Sequence, residues 1–125
     1  MSDTRNSDPR KDIRKKLMAF TPVYDSITNT LVGYVGNINL FGMMVVSEHI
    51  AEVGREVILN VEFPKSLLEA QEKNLVAPAR VAWCKQDDSI KSCTIGFEFT
   101  KITPEQGAII RTIMERYHFR HSDLA

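Results

Sequence analysis

The chain has 125 residues, 43% of them hydrophobic and 26% charged, which suits one globular domain with a modest core and leaves no room for two. Folding at this length removes about two thirds of the unfolded surface from water, enough for stability without disulfides or a structural metal. Sixteen Lys and Arg balance sixteen Asp and Glu, and a formal charge of zero disfavours non-specific binding to duplex nucleic acid or to an anionic membrane. The charge is unevenly placed, because residues 1–16 carry a net +3 and residues 17–110 a net −4. The longest apolar candidate, the six residues Phe41–Val46, falls far short of the roughly 20 that a membrane span needs. No apolar segment follows the N-terminal Met-Ser-Asp-Thr-Arg-Asn, so neither a secretory signal nor membrane insertion is expected and the expected compartment is the cytoplasm. Cys84 and Cys93 lack C-x-x-C spacing and a nearby His. They read as reduced core thiols rather than as a metal or redox pair.

Residues 1–9 are polar, end in Pro9 and read as a flexible arm. From Leu17 onward come short segments rich in Val, Ile, Phe and Tyr, bounded by turn-formers. Leu17–Tyr24 is predicted as a first strand in which Pro22 implies an edge position or a bulge. Asp25-Ser26 and Thr28-Asn29-Thr30 supply the turn into a second strand, Leu31–Ile38, where Gly33 and Gly36 predict a bulge or a close approach. Gly42–Ser47 is the third strand. Arg55–Phe63 alternates as the fourth, with Val57, Leu59, Val61 and Phe63 on one face, and Pro64 closes it. Lys65–Lys73 reads as a loop or one helical turn. Leu75–Cys84 and Cys93–Phe99 are expected to pair as a hairpin across a polar connection, with Ile95, Phe97 and Phe99 on one face. Thr103 is placed as an N-cap, Pro104 at the first helical position, and Gln106 three residues on from the cap completes a capping box. Ile109, Ile110, Ile113, Met114 and Tyr117 then recur at helical spacing. Six short strands and one helix predict a mainly-β fold: a small six-stranded antiparallel β-barrel with a C-terminal α-helix and a flexible basic N-terminal arm. Closure removes the exposed edges that a flat sheet would leave.

Little in the chain suits catalysis. There is no G-x-S-x-G elbow, no H-E-x-x-H and no Gly-rich phosphate loop with a Lys, so no catalytic residue, metal or cofactor is expected. His49 lies in a polar stretch, and His118 with His121 reads as stabilisation of a helix C-terminus rather than as a metal site. Asp87-Asp88 reads as a solvated hairpin tip. Two features do stand out. Arg10-Lys11-Asp12-Ile13-Arg14 places two arginines four apart before the first strand, although Arg116 and Arg120 repeat that spacing elsewhere. Gly36-Asn37-Ile38-Asn39-Leu40-Phe41-Gly42 joins the second and third strands, with two short amides around one apolar residue and a glycine that permits a sharp turn or a close ligand. The alternative for this stretch is an Asx-rich turn.

In this order and on this framework the two features resemble the PilZ domain family, which carries R-x-x-x-R in an N-terminal arm and (D/N)-x-S-x-x-G between the second and third strands of a six-stranded barrel. Arg10 and Arg14 match the first motif; Asn37, Asn39 and Gly42 fall on the three positions of the second. Val53–Val57, Arg80–Trp83 and Ile95–Phe99 resemble the family's later strands. The resemblance implies an arm at 1–9, one PilZ-like domain over 10–120 and a tail at 121–125. It implies a bacterial, non-enzymatic receptor for the second messenger cyclic di-GMP, bound by Arg10, Arg14, Asn37, Asn39 and Gly42 with Lys11 as a helper. Output is expected to pass to an unidentified protein effector controlling motility, biofilm formation or exopolysaccharide. Arginine suits such a ligand because its fork meets the O6/N7 edge of guanine or a phosphate and its plane stacks on a base. The family's Ser is Asn39 here, so the alternative is a divergent PilZ-like adaptor that works by protein–protein interaction without the ligand. The Arg10/Arg14 pair stands against that alternative. A barrel binding single-stranded nucleic acid is disfavoured by strands that are acidic on balance.

Overall fold

Alternation of apolar and polar residues sends one side of each short strand inward. In the computed structural model, which describes residues 16–18, 20–63, 74–87 and 92–119 (backbone alone for 16–18 and 118–119), the result is a closed barrel. The elements are β1 (Lys16–Met18), β2 (Pro22–Asp25), β3 (Thr30–Ile38), β4 (Gly42–Ser47), β5 (Glu56–Val61), β6 (Leu75–Asp87), β7 (Ser92–Phe99), α1 (Pro104–Arg116) and β8 (Tyr117–Phe119). Around the barrel the order is β2-β3-β4-β7-β6-β5, with β5 returning to β2 and every pairing antiparallel. The expected arm and tail, Pro64, the Lys65–Lys73 connection, Asp88 and His121 lie outside the described residues.

Val23, Val35, Val45, Leu59 and Ile95 fill the interior, almost completely removed from water. The alternation read for the fourth strand holds, with Leu59, Val61 and Phe63 buried and Val57 half-buried. Ile110 and Ile113 enter the same core from α1. A Cβ on Gly107 of that helix would lie 3.8 Å from Leu40, so α1 closes the barrel at the end where β3 runs into β4. The helix begins as its sequence dictates. Thr103 Oγ1 accepts from the Gln106 N–H at 3.1 Å, and Gln106 Oε1 accepts from the Thr103 N–H at 2.9 Å. Gln106 Nε2 also donates to the Val76 carbonyl at 2.6 Å, so the capping residue fastens the helix to β6. Thr103→Ala is expected to cost about 1 kcal/mol, read as a lower urea midpoint with an unchanged m-value.

Three elements differ from the sequence reading. The segment Leu17–Tyr24 divides, because the chain joins the barrel only at Thr21, whose carbonyl accepts from the Val35 N–H at 3.0 Å. Pro22 takes the first position of β2, where a missing N–H is tolerated, and a register shift follows between Val23 and Tyr24. Lys16–Met18 instead pairs in parallel with Tyr117–Phe119. The second difference is the end of the helix. Tyr117 shares the helical spacing of the apolar face, yet it is extended at φ −137° and ψ 155°, its N–H donating to Ile113 O as the cap. Pairing with β1 takes over from there, so His118 lies in a strand and not on the helix. Across β6–β7 the hairpin is longer than expected, reaching Asp87 paired with Ser92. Neither cysteine is in a disulfide; Cys93 is buried and Cys84 half-buried.

Candidate functional site

The wall formed by β3, β4, β7 and β6 carries two outward rows. Cross-strand partners run Asn37, Met44, Gly96, Trp83 in the first and Gly42, Glu98, Arg80, Glu56, reaching β5, in the second. At about 4.8 Å between strands, Asn37 and Trp83 sit on strands roughly 14 Å apart. Each is turned outward by a bulge. A register shift between Val35 and Asn37 lets Val35 face the core and Asn37 face water, and a second shift between Val81 and Trp83 does the same on β6. An extra residue in one strand re-aims the side chain after it. Gly36 and Ala82 are those residues.

The stretch from Asn37 to Gly42 is a tight Asx turn. Asn39 Oδ1 accepts from the Phe41 N–H at 2.8 Å and the Gly42 N–H at 3.0 Å, while the Asn39 N–H donates to Gly42 O at 2.9 Å. Asn37 Oδ1 accepts from the Ile38 N–H at 2.8 Å. Both acceptor oxygens are therefore committed to backbone, and each exposed amide offers its two N–H groups outward. The turn reading and the ligand reading of this stretch are compatible, because they use different atoms. Gly42 answers to a different demand. A Cβ there would overlap the Phe97 carbonyl oxygen and lie 3.3 Å from Glu98 Cα, so the glycine is required by the close approach of β7.

Between these residues lies an open groove of about 340 Å³ that also touches Phe41, Trp83 and Glu98. Phe41 is 81% exposed and Trp83 44%, and the indole lies so closely on Gly96 that a Cβ there would overlap its Cε2 and Nε1 atoms. No Lys, Arg or His is among the described residues lining the groove. Glu98 would repel an anion, but Arg80 Nη2 donates to its Oε1 at 2.9 Å. That hydrogen bond, then attraction to Glu98 and more weakly to Glu56, raises the Arg80 pKa above its already high ordinary value. Any stability this contributes is complete below the ordinary pKa and fades only as pH climbs through the raised one, so Arg80 stays cationic near neutrality.

Of the residues expected at the site, Asn37, Asn39 and Gly42 come together on this wall; Arg10, Lys11 and Arg14 lie outside the described residues. The sequence reading missed Trp83 and Phe41. A large aromatic at a turn tip and a Trp two residues after an inward Val were the available signals. A larger depression, about 610 Å³, lies on the other half of β3 and β4 between Phe20, Leu31, Tyr34 and Glu48, and neither amide lines it. Among the described residues no three His, Cys, Asp or Glu side chains are grouped to hold a metal, and no helix is long and apolar enough to cross a membrane.

A family model described as PilZ domain matches residues 8–116. Among curated proteins none matches the chain. Two solved structures share the fold. The PilZ domain with c-di-GMP of YcgR from Escherichia coli is 13% identical, with a TM-score of 0.54 over 75% of this chain and 77% of that one. The inhibitor of motility MotI/DgrA from Bacillus subtilis is 16% identical, with a TM-score of 0.58 over 76% of this chain; the match spans 44% of the other.

Proposed function

The chain belongs to the PilZ domain family, and from that premise we propose that it is a non-enzymatic receptor for cyclic di-GMP that passes the signal to a protein partner. The observation that carries the reading is the pair of amides at Asn37 and Asn39, whose oxygens are tied to backbone and whose N–H groups are left for a ligand. Guanine presents two acceptors, O6 and N7, along one edge. Donors on the barrel wall meet that edge, and the flat surface of Trp83 offers a base a place to stack.

The ligand's two phosphodiesters need cations that the groove itself lacks. We assign them to Arg10 and Arg14, with Lys11 assisting. Both arginines stand in the sequence shortly before Lys16, whose strand β1 pairs with β8, and β8 lies against β3, the strand that carries Asn37. An arm that closes over the dianion and becomes ordered as it does so converts binding into a changed surface. Motility is the process we favour, because MotI/DgrA is an inhibitor of motility and the YcgR domain is held with c-di-GMP; biofilm formation and exopolysaccharide remain with the family expectation. Thiols at Cys84 and Cys93 that form no disulfide suit the reducing cytoplasm. The adaptor alternative drew on Asn39 replacing the family's Ser. A Ser hydroxyl caps such a turn by accepting the same N–H groups, so an Asn that does this is no argument against the ligand.

Calorimetric titration with cyclic di-GMP tests the reading directly, and an absence of heat up to about 1 mM ligand would remove it. Asn39→Ser keeps an oxygen for the turn and a hydroxyl proton to donate in place of the amide N–H groups, so affinity is expected to stay within about tenfold of the parent; a larger loss would show that a hydroxyl cannot replace the Asn39 amide as donor. Trp83→Ala is expected to weaken binding about tenfold through the lost stacking surface, and an unchanged dissociation constant would place the ligand elsewhere on the wall.

A further inference from the structure

At the end of the barrel away from α1, where β3 begins and β4 ends, a second cavity of about 340 Å³ opens between the β2–β3 turn and the β4–β5 connection. Its floor is apolar, made of Val57, Val81, Ile95 and Phe97. Its polar groups are arranged differently from a solvated rim. Asp25 is only 8% exposed. Its Oδ1 accepts from the Ile27 N–H at 2.9 Å and the Thr28 N–H at 3.3 Å, which closes the turn. No hydrogen bond to its second oxygen, Oδ2, is present among the described residues, although the carboxylate lines the cavity. Ser47, 3% exposed, uses Oγ to accept from the His49 N–H at 3.0 Å and keeps its hydroxyl proton to donate. Arg55 lines the same cavity from the start of β5, exposed at the rim, and forms no ion pair with Asp25.

A buried carboxylate that does not meet the guanidinium at the rim of its cavity leaves an acceptor inside and a solvated positive charge at the mouth, both open to whatever enters. A simple cation meets repulsion from Arg55, and a simple anion meets it from Asp25. A molecule carrying both charges compensates each in turn, which is what makes desolvation of a buried charge tolerable. The volume is at the small end of ligand sites, and an apolar floor with a few convergent polar groups is how such sites are built.

We propose that the barrel mouth is a second binding site, for a small zwitterion of the amino acid class: an ammonium and a carboxylate on an apolar body. The ammonium donates to Asp25 Oδ2, the carboxylate accepts from Arg55 with the Ser47 hydroxyl within the same cavity, and the apolar body lies over Val57 and Phe97. Phe97 lines both this cavity and the groove on the wall, but the polar groups of the two are different, and this proposal does not depend on the cyclic di-GMP reading.

The test is an NMR titration of the full chain with leucine, with 3-methylbutylamine, which lacks the carboxylate, and with 4-methylpentanoate, which lacks the ammonium. Leucine is expected to give saturable shifts at Asp25–Thr30 and Ser47–Ala51, and each half-molecule is expected to bind at least about tenfold more weakly. Asp25→Asn keeps an oxygen for the turn and removes the charge. It is expected to lower leucine affinity about tenfold while leaving the melting temperature and any cyclic di-GMP affinity near those of the parent; Arg55→Gln is expected to act likewise. The proposal is overturned if leucine gives no saturable shift up to about 50 mM, if the amine alone binds as well as leucine, or if both variants bind leucine undiminished.

Discussion

Replacing Arg14 with alanine is expected to weaken cyclic di-GMP binding about 10- to 150-fold, which corresponds to the roughly 1.5–3 kcal/mol of a hydrogen bond to a charged group. The size of the effect follows from what the groove lacks. No described residue lining it is cationic, and its acidic residue, Glu98, already occupies Arg80, so the ligand's negative charge falls to the arm. Arg14→Lys keeps the charge but loses the planar fork, and its affinity is expected to fall between those of the parent and the alanine variant. Added salt is expected to weaken the parent more than Arg14→Ala, since the variant has less charge attraction to screen. Calorimetry at two ionic strengths measures all three. Equal dissociation constants for parent and Arg14→Ala would show that the phosphates are met elsewhere.

Gly42→Ala is expected to cost about 1–3 kcal/mol of stability, seen as a melting temperature lower by several degrees, together with weaker ligand binding. The added methyl meets the Phe97 carbonyl and Glu98 Cα, which are main-chain atoms of the paired strand β7. No rotamer change moves them, so β4 and β7 must separate locally. That separation disturbs the bond from the Phe99 N–H to Phe41 O, 2.8 Å long, and with it the Asx turn. Gly36→Ala supplies the comparison. Its methyl would meet first the terminal Cε of Met44, a flexible chain end that can swing aside, so its cost is expected to be smaller. Were Gly42 needed only to admit the ligand, its alanine variant would bind poorly and melt with the parent.

The barrel strands and the helix start were legible because their signals are local. Alternation in Arg55–Phe63 and the Thr103/Gln106 box depend on residues a few positions apart, and the structure keeps both. β1 was not legible as a separate element. Its partner is β8 at the far end of the chain, and pairing over such a separation leaves no trace in either segment. Tyr117 shows the same limit from the other side, since its helical spacing is real but strand pairing overrides it. At the site, Asn37 and Gly42 could be placed by motif, whereas Trp83 could not be placed by period. Val81 and Trp83 are two apart and in an unbroken strand would share a face; the register shift between them sends one inward and the other out. A one-residue slip reverses every face that follows it, and alternation alone cannot see it.

Because β2 through β7 close on one another, most of the described barrel main chain is paired on both sides; beyond Arg80, where its ladder with β5 ends, β6 runs on to Asp87 with a strand partner on one side only, β7. A partner that recognises its target by adding a strand therefore has, among the described residues, that end of β6 and the outer edges of the β1–β8 ladder, three residues each. That ladder lies between the segment bearing Arg10 and Arg14 and the end of α1. A protein that docked on the ladder would sit next in sequence to the segment bearing Arg10 and Arg14, not on the barrel wall proposed to hold the base. Any other partner must be selected through side chains alone.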